Sequence, residues 1–334
     1  MISKRIGIDL GTANSLVWVE GQGIVLNEPT VVAVKAEDNQ ILAVGSEAKQ
    51  MLGRTPGDIV ASRPMRDGVI ADYLVTEAIL RYFIHKATGK ALFFKPEVMI
   101  CVPAGCTQVE RRAVLDATLA AGARVAYLID EPLAAAIGAG IPLSAPSGSM
   151  IMDSGGGATE AAVISLGGVV VHRAVRVAGN KIDEAIANYV RKKHALIIGE
   201  QTAESVKITI GSALALPKEE KIEIKGRDTV MGLPKTFEIS STEVTEAIKP
   251  TLAQILTALK AVLEETPPEL VSDIIDKGIV LSGGTSLLRG FDKMVTQETG
   301  VPAHVAEEPM LCVVKGIGIA LEDIETYKKS IIKK

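Results

Sequence analysis

Apolar residues gather along this chain in two kinds of run. Short runs bounded by glycine or an acid read as buried strands, and longer runs with apolar positions three and four apart read as helices. The first strand, with Ile6 and Ile8, ends on Asp9. A turn follows through Gly11, Thr12, Ala13, Asn14 and Ser15, and Leu16–Val19 reads as the returning strand of a hairpin. The device repeats at Met150–Thr159: apolar run, Asp153, a turn of Gly155, Gly156 and Gly157, then Thr159 and a return over Ala161–Leu166. A third turn, Gly283-Gly284, closes the apolar run that starts at Gly278.

Between these landmarks the helical period predicts several helices. Ala71–Lys86 carries Val75, Ile79, Leu80 and Phe83 on one face. Thr107–Ala121 has capping-box spacing at Thr107 and Glu110 and a stop at Gly122. Glu131-Pro132 opens Leu133–Ala139, with proline at the first helical position. Ile182–His194 follows, then Thr202–Ile210 with Thr202 as N-cap. A second capping box at Ser240 and Glu243 starts a helix to about Glu265, kinked at Pro250 and stopped by Pro267-Pro268. Cys312–Leu321 is the last helix and crosses back to the first half. Val31–Val44 reads as two strands and Ser46–Leu52 as a short helix, forming an inserted subdomain. Strands near Lys221–Lys225 and Thr236–Ile239 suggest a second one. Residues 140–148, with Gly140, Pro142, Pro146 and Gly148, read as a linker between lobes.

Composition narrows the function. A chain of 334 residues that is 47% hydrophobic is long enough for two cored domains. The net charge of −4, with dispersed basic residues and 3% aromatics, argues against nucleic acid as a partner. Three cysteines (Cys101, Cys106 and Cys312) fit small buried thiols in a reducing compartment. Asp9 interrupts any signal-peptide core, and no apolar run reaches the length of a membrane span. These features predict a cytoplasmic protein that at most rests on a membrane. The lysines at 328, 329, 333 and 334 read as a solvated tail.

The chemistry lies in the repeated turns. Small residues let backbone N–H groups face an anion at close range. A strand-end carboxylate repels phosphate but can hold a hydrated Mg²⁺ that touches it. Two such hairpins predict two related lobes that each lend a loop to one cleft. Glu131, at a strand end and a helix mouth, is either a helix-dipole partner or the carboxylate that orients an attacking water. Ala91-Leu92-Phe93-Phe94, between Lys90 and Lys95, reads as core or as a tip that dips into a bilayer interface.

The hairpins with the Gly283-Gly284 turn resemble the phosphate and adenosine loops of the actin superfamily, which includes heat-shock chaperones and sugar kinases. Gly23–Pro29, Met51–Gly57, Arg63–Asp72, Val109–Ala113 and Asp130–Gly138 are similar to the MreB family, the bacterial actins of rod-shaped cells. The resemblance runs from about Ile6 to about Leu321. It implies an α/β actin-like ATPase fold: two related lobes around a nucleotide cleft, each with a small inserted subdomain. Lobe I would take residues 1–140 and 306–334, with an insertion at about 31–65. Lobe II would take 141–305, with an insertion at about 180–238.

By the same resemblance, Gly11, Thr12, Ala13, Asn14, Gly155, Gly156 and Gly157 cradle the phosphates of ATP or ADP. Asp9 and Asp153 hold Mg²⁺ through water, and Glu131 is catalytic. Glu204 and Lys207 meet ribose and adenine, and Gly283 and Gly284 cover the adenosine. Leu92, Phe93 and Phe94 fall at the family's membrane-insertion loop. They would act without the amphipathic N-terminal helix often found there, since five residues precede the first strand. Val109 is either ordinary helix packing or a contact between paired antiparallel protofilaments. The implied function is a membrane-associated filament that binds ATP and organises cell-wall synthesis with cell-shape and wall-synthesis membrane proteins. A chaperone-type ATPase is disfavoured by the lack of room for a peptide-binding domain, and a small-molecule kinase by the lack of an identifiable polar pocket. Two stretches depart from the family pattern. Ala158 stands where a threonine is usual, and Ala178 and Asn180 replace a usual glycine and aspartate. The lost hydroxyl at 158 predicts retained binding with slow hydrolysis.

Overall fold

The computed structural model describes residues 4–38, 40–66, 69–70, 73–89 and 95–334. Leu92, Phe93 and Phe94 lie outside the described residues. Two large sheets form the body. The first runs Ile331–Lys333, Val125–Asp130, Glu97–Val102, Arg5–Leu10, Asn14–Val19, Gly23–Pro29. The second runs Gly168–Val175, Thr159–Ser165, Ser149–Ser154, Ile279–Ser282, Ala303–Val305.

The two sheets repeat one plan. In each, a hairpin strand pairs antiparallel with its return, which pairs antiparallel with a third strand. On its other side the hairpin strand pairs parallel with a later strand, which takes a further parallel neighbour. Arg5–Leu10 and Ser149–Ser154 are therefore equivalent, as are Glu97–Val102 and Ile279–Ser282. The strands are apolar nearly throughout because both faces of each sheet are covered. A three-stranded sheet (Val32–Lys35, Ile41–Val44, Ile59–Ser62) and another (Leu196–Ile197, Lys221–Asp228, Pro234–Ser240) form the two insertions.

The core has a large cluster in each half, a third between them, and a small fourth around Val31, Ala33, Ala43 and Ala48 in the first insertion. That third cluster joins Trp18, Tyr127 and Leu133 to Ile151, Ala162, Cys312 and Ile317. At its centre the helices Glu131–Gly138 and Cys312–Glu322 cross in close contact. Small residues make this possible. A Cβ at Gly316 would overlap the carbonyl oxygen of Ala134, and one at Gly138 would sit 2.8 Å from the Gly316 nitrogen. Gly7 is equally constrained, since a Cβ there would lie 2.7 Å from Ile317 Cγ2.

Most predicted elements are present, and both capping boxes form with reciprocal bonds. Four local expectations are corrected, and a fifth, the stop at Pro267-Pro268, is extended. Thr202 is not an N-cap: the helix runs Glu200–Ile210, and Gly199, in extended conformation, precedes it. Starting earlier turns Glu200 and Gln201 toward the first insertion. Leu166 is not in the return strand but in its turn, at φ 52°. The helix predicted from Ile182 begins at Gly179. Pro267-Pro268 does stop the long helix, but Pro268 also opens another, Pro268–Lys277, by presetting its first residue. The basic tail is not merely solvated. Ile331–Lys333 adds an antiparallel edge strand to Val125–Asp130, and Lys334 pairs with Asp116.

Gly316→Ala should lower stability by about 3 kcal/mol, at the upper end of ordinary overpacking. Urea unfolding would measure it, and a midpoint unchanged from wild type would contradict the close crossing.

Candidate functional site

A cleft of about 800 Å³ opens between the sheets, a size suited to a ligand of nucleotide dimensions. Every residue predicted to bind phosphate, metal, ribose or adenosine lines it, and so does Glu131. The two glycine turns meet across it. A Cβ at Gly156 would lie 2.6 Å from Ala13 Cβ, and one at Gly157 would overlap the Thr12 side chain. Glycine is thus required here by the close approach of the Ala13 and Thr12 side chains from the opposite turn, not by a special φ.

Hydroxyls brace both turns from beneath. Thr30 Oγ1 donates to the Gly11 carbonyl at 2.6 Å, and Thr285 Oγ1 donates to the Gly155 carbonyl at 2.8 Å. The start of the helix Gly179–His194 is tied to the second turn, because the N–H groups of Gly179 and Asn180 donate to the carbonyls of Gly155 and Gly156 at 3.2 and 2.8 Å. Gly283, at φ 81°, passes so close to Ser154 that any side chain would strike its backbone. Gly284 lies beside Met310.

Four carboxyls share the floor. Asp9 and Asp153 stand at equivalent strand ends, each buried. Desolvation, then the Asp153 charge, lifts Asp9 to about 7, and desolvation lifts Asp153 to about 6. Glu131 is half-buried and opens on the cleft. Desolvation, followed by the charges of Asp153, Glu160 and Asp9, pushes its carboxyl well above the usual range. Glu160 is buried and is raised to about 8, chiefly by desolvation. Its Oε2 accepts from the Ala104 N–H at 3.2 Å, while its Oε1 has no hydrogen-bond partner among the described residues.

Asp9 and Asp153 fit a hydrated divalent cation. They are acceptor-only oxygens from opposite lobes whose mutual repulsion a dication would relieve. Among the described residues no group of three metal-ligating side chains converges, so this donor set suits contact through water rather than a protein cage.

Glu204 and Lys207 also line the cleft but have protein partners. Lys49 Nζ pairs with Glu204 Oε2 at 3.3 Å, Gln201 Nε2 donates to the Lys49 carbonyl at 3.1 Å, and Arg63 pairs with Glu200. These contacts strap the first insertion to the helix Glu200–Ile210 over the cleft. Lys207 Nζ donates to Asp183 Oδ2 at 2.9 Å and to the Gly179 carbonyl at 3.2 Å. Val109 is 78% exposed in the first turn of its helix, at the cleft's rim. Glu160, Cys101 and Thr285, none of them a site candidate from sequence, also line the cleft. Glu160 had a usable signal, a charge inside an otherwise apolar strand.

Comparison with known proteins places this geometry. The family model described as MreB/Mbl protein matches residues 3–329. The chain belongs to the MreB/Mbl family. Within it, the chain is 51% identical to the cell shape-determining protein MreB of Escherichia coli over 98% of this chain and 96% of that one. It is 49% identical to the cell shape-determining protein Mbl of Bacillus cereus over the full length of both. Among solved structures, MreB5 of Spiroplasma citri bound to ADP superposes with a TM-score of 0.93 at 38% identity, over 98% of each chain. The AMPPNP-bound form of that protein gives a TM-score of 0.93 at 37% identity, over 98% of this chain and 99% of that one. A MamK double helical filament, at 21% identity and a TM-score of 0.80 over 96% of this chain and 99% of that one, shares the fold. The actin-like fold expected from the hairpins is therefore the fold of this chain.

The carboxyl floor has a consequence for stability. A buried acid with a raised pKa keeps its proton in the folded state when the unfolded chain has already released it. Stability then falls as pH rises from the unfolded value toward the folded one. For Glu160 that window runs from about 4.5 to about 8. Without ligands, the melting temperature should drop between pH 5 and pH 8, and Glu160→Gln should flatten that drop. Parallel pH profiles for the two proteins in thermal unfolding would refute the assignment.

Proposed function

We propose that this protein is an actin-like cytoskeletal ATPase that polymerises on the inner face of the membrane and organises wall synthesis to maintain rod shape. The observation that carries the reading is the meeting of two glycine turns and two strand-end aspartates in one cleft. Support comes from relatives named as cell shape-determining proteins and from a relative solved with ADP and with AMPPNP. The two lobes, residues 1–140 with 306–334 and residues 141–305, each contribute one turn.

In this reading Gly11, Thr12, Ala13 and Asn14 hold the phosphates from one side and Gly155, Gly156 and Gly157 from the other. Gly283 and Gly284 bound the adenosine end, with Glu204 and Lys207 toward the ribose and adenine. Asp9 and Asp153 would hold Mg²⁺ through its waters, and the ion supplies charge neutralisation on the phosphates. Glu131 orients a water for in-line attack on the γ-phosphorus. As the new P–O bond forms, the bond to the β–γ bridging oxygen breaks. The water's proton passes to the Glu131 carboxylate, whose raised proton affinity suits it as acceptor. The products are ADP and inorganic phosphate. Ala158 supplies no hydroxyl to this centre, so turnover is slow while binding is kept. Both lobes grip one phosphate chain, so a filament contact spanning the lobes senses its state, while Val109 lies at the contact between paired antiparallel protofilaments. Leu92, Phe93 and Phe94 anchor the filament to lipid, and cell-shape and wall-synthesis membrane proteins follow it.

ATP hydrolysis by purified protein with Mg²⁺ tests the catalytic part. Glu131→Ala should lower kcat about a hundredfold, in the range of a general base, and Ala158→Thr should raise it about tenfold. Equal kcat for wild type and Ala158→Thr would remove the attenuation. Co-sedimentation with anionic liposomes and ATP, followed by electron microscopy, tests the rest. Paired filaments on lipid should be lost from the membrane, not from solution, in the triple Leu92→Ser/Phe93→Ser/Phe94→Ser variant. An absence of filaments under any nucleotide would overturn the cytoskeletal reading.

A further inference from the structure

The equivalence of the two lobes extends one residue beyond the hairpins. In the second lobe, Asp153 pairs in register with Ser282 on the parallel neighbour strand, and Ser282 Oγ donates to Asp153 Oδ1 at 2.6 Å. In the first lobe, Ile8 pairs with Ile100 on the parallel neighbour strand, so Asp9 and Cys101 come next on the two strand ends. There Cys101 Sγ donates to Asp9 Oδ1 at 3.5 Å. The same strand position in each lobe thus carries a side-chain donor, and each donor takes one oxygen of its aspartate and leaves the other.

The remaining oxygens are alike as well. Among the described residues neither Asp9 Oδ2 nor Asp153 Oδ2 has a hydrogen bond, and neither is among the buried atoms left without one. Both are therefore open to the cleft that the two residues line. An aspartate carboxyl turns easily about its last torsion, with two broad orientations. A donor on one oxygen selects one orientation and leaves the other oxygen to face outward.

We propose that Cys101 and Ser282 are matched positioning residues, one in each lobe, that hold Oδ1 of Asp9 and Asp153 so that each Oδ2 faces the cation of a bound Mg²⁺–nucleotide. The inference rests on the reading of the cleft as a Mg²⁺–nucleotide site. Neither residue touches the nucleotide in this scheme; both act through the aspartates. The thiol is the weaker and longer donor, so the first lobe holds its carboxylate more loosely than the second.

The test is a Mg²⁺ titration of fluorescent ADP binding by the full-length protein, with EDTA as the metal-free arm. Cys101→Ala should raise the Mg²⁺ concentration for half-maximal tightening about fivefold, the size of one net hydrogen bond, and leave metal-free ADP affinity unchanged. Cys101→Ser keeps a donor, as Ser282 does in the other lobe, and should fall within about twofold of wild type. Ser282→Ala should exceed Cys101→Ala, and Ser282→Thr should restore most of the loss. Thermal unfolding of each variant reports packing separately. Equal Mg²⁺ curves for Cys101→Ala and wild type, or equal losses in Cys101→Ala and Cys101→Ser, would overturn the positioning role while leaving the nucleotide site intact. Failure of wild type to bind ADP with or without Mg²⁺ would overturn both.

Discussion

Two carboxylates that line one desolvated cleft repel, and among the described residues neither forms an ion pair. Asp9 and Asp153 stand in this relation, with Glu131 and Glu160 adding to the same field. The cost is held in place by parallel strands whose ends cannot shift without breaking a sheet. The cleft is thus built for something that brings positive charge with it and is itself an anion. In the proposed reading, a divalent cation with a polyphosphate meets both demands, with the glycine turns as the phosphate cradle. The rest of the molecule works to keep these two strand ends opposed.

That task falls to the crossing of Glu131–Gly138 and Cys312–Glu322. The two helices touch through Ala134, Gly138 and Gly316, where no side chain fits between the backbones. One of them begins with the catalytic candidate and packs on the second hairpin, and the other packs on the first. Movement of one lobe against the other must pivot about this contact, since the third core cluster is the apolar layer shared by both sheets. At the far side, the polar straps from Lys49 and Arg63 to Glu204 and Glu200 close the mouth. Exposed ion pairs of this kind hold weakly and exchange readily with water. The molecule therefore has a firm pivot below the site and a loose clasp above it.

Much of this was legible in the chain because it is written locally. The strand–acid–glycine device depends on residues a few positions apart, and so do the two capping boxes and the proline at the start of Glu131–Gly138. The features that were missed are decided by distant neighbours. Thr202 looks like a cap, but the helix has already begun after the extended Gly199, and its start is fixed by what Glu200 and Gln201 reach across the cleft. The lysines near the end look like a solvated tail because their composition says nothing of the free sheet edge at Val125–Asp130 that Ile331–Lys333 fills. Cys101 reads as a small buried thiol until the parallel register sets it beside Asp9. Glu160 is a charge in an apolar strand, a signal that the glycines just before it outweigh.

The shared plan of the two sheets carries an implication about descent. Each half offers one strand-end acid, one glycine turn and one donor beside the acid. Neither half alone encloses a phosphate chain. A protein made of a single half could have formed this cleft only by meeting a second copy of itself, with identical residues on both walls. Joining the copies in one chain removed that symmetry requirement. One wall could then keep a hydroxyl where the other took a thiol, and one could acquire a further cleft acid, Glu131, without its twin.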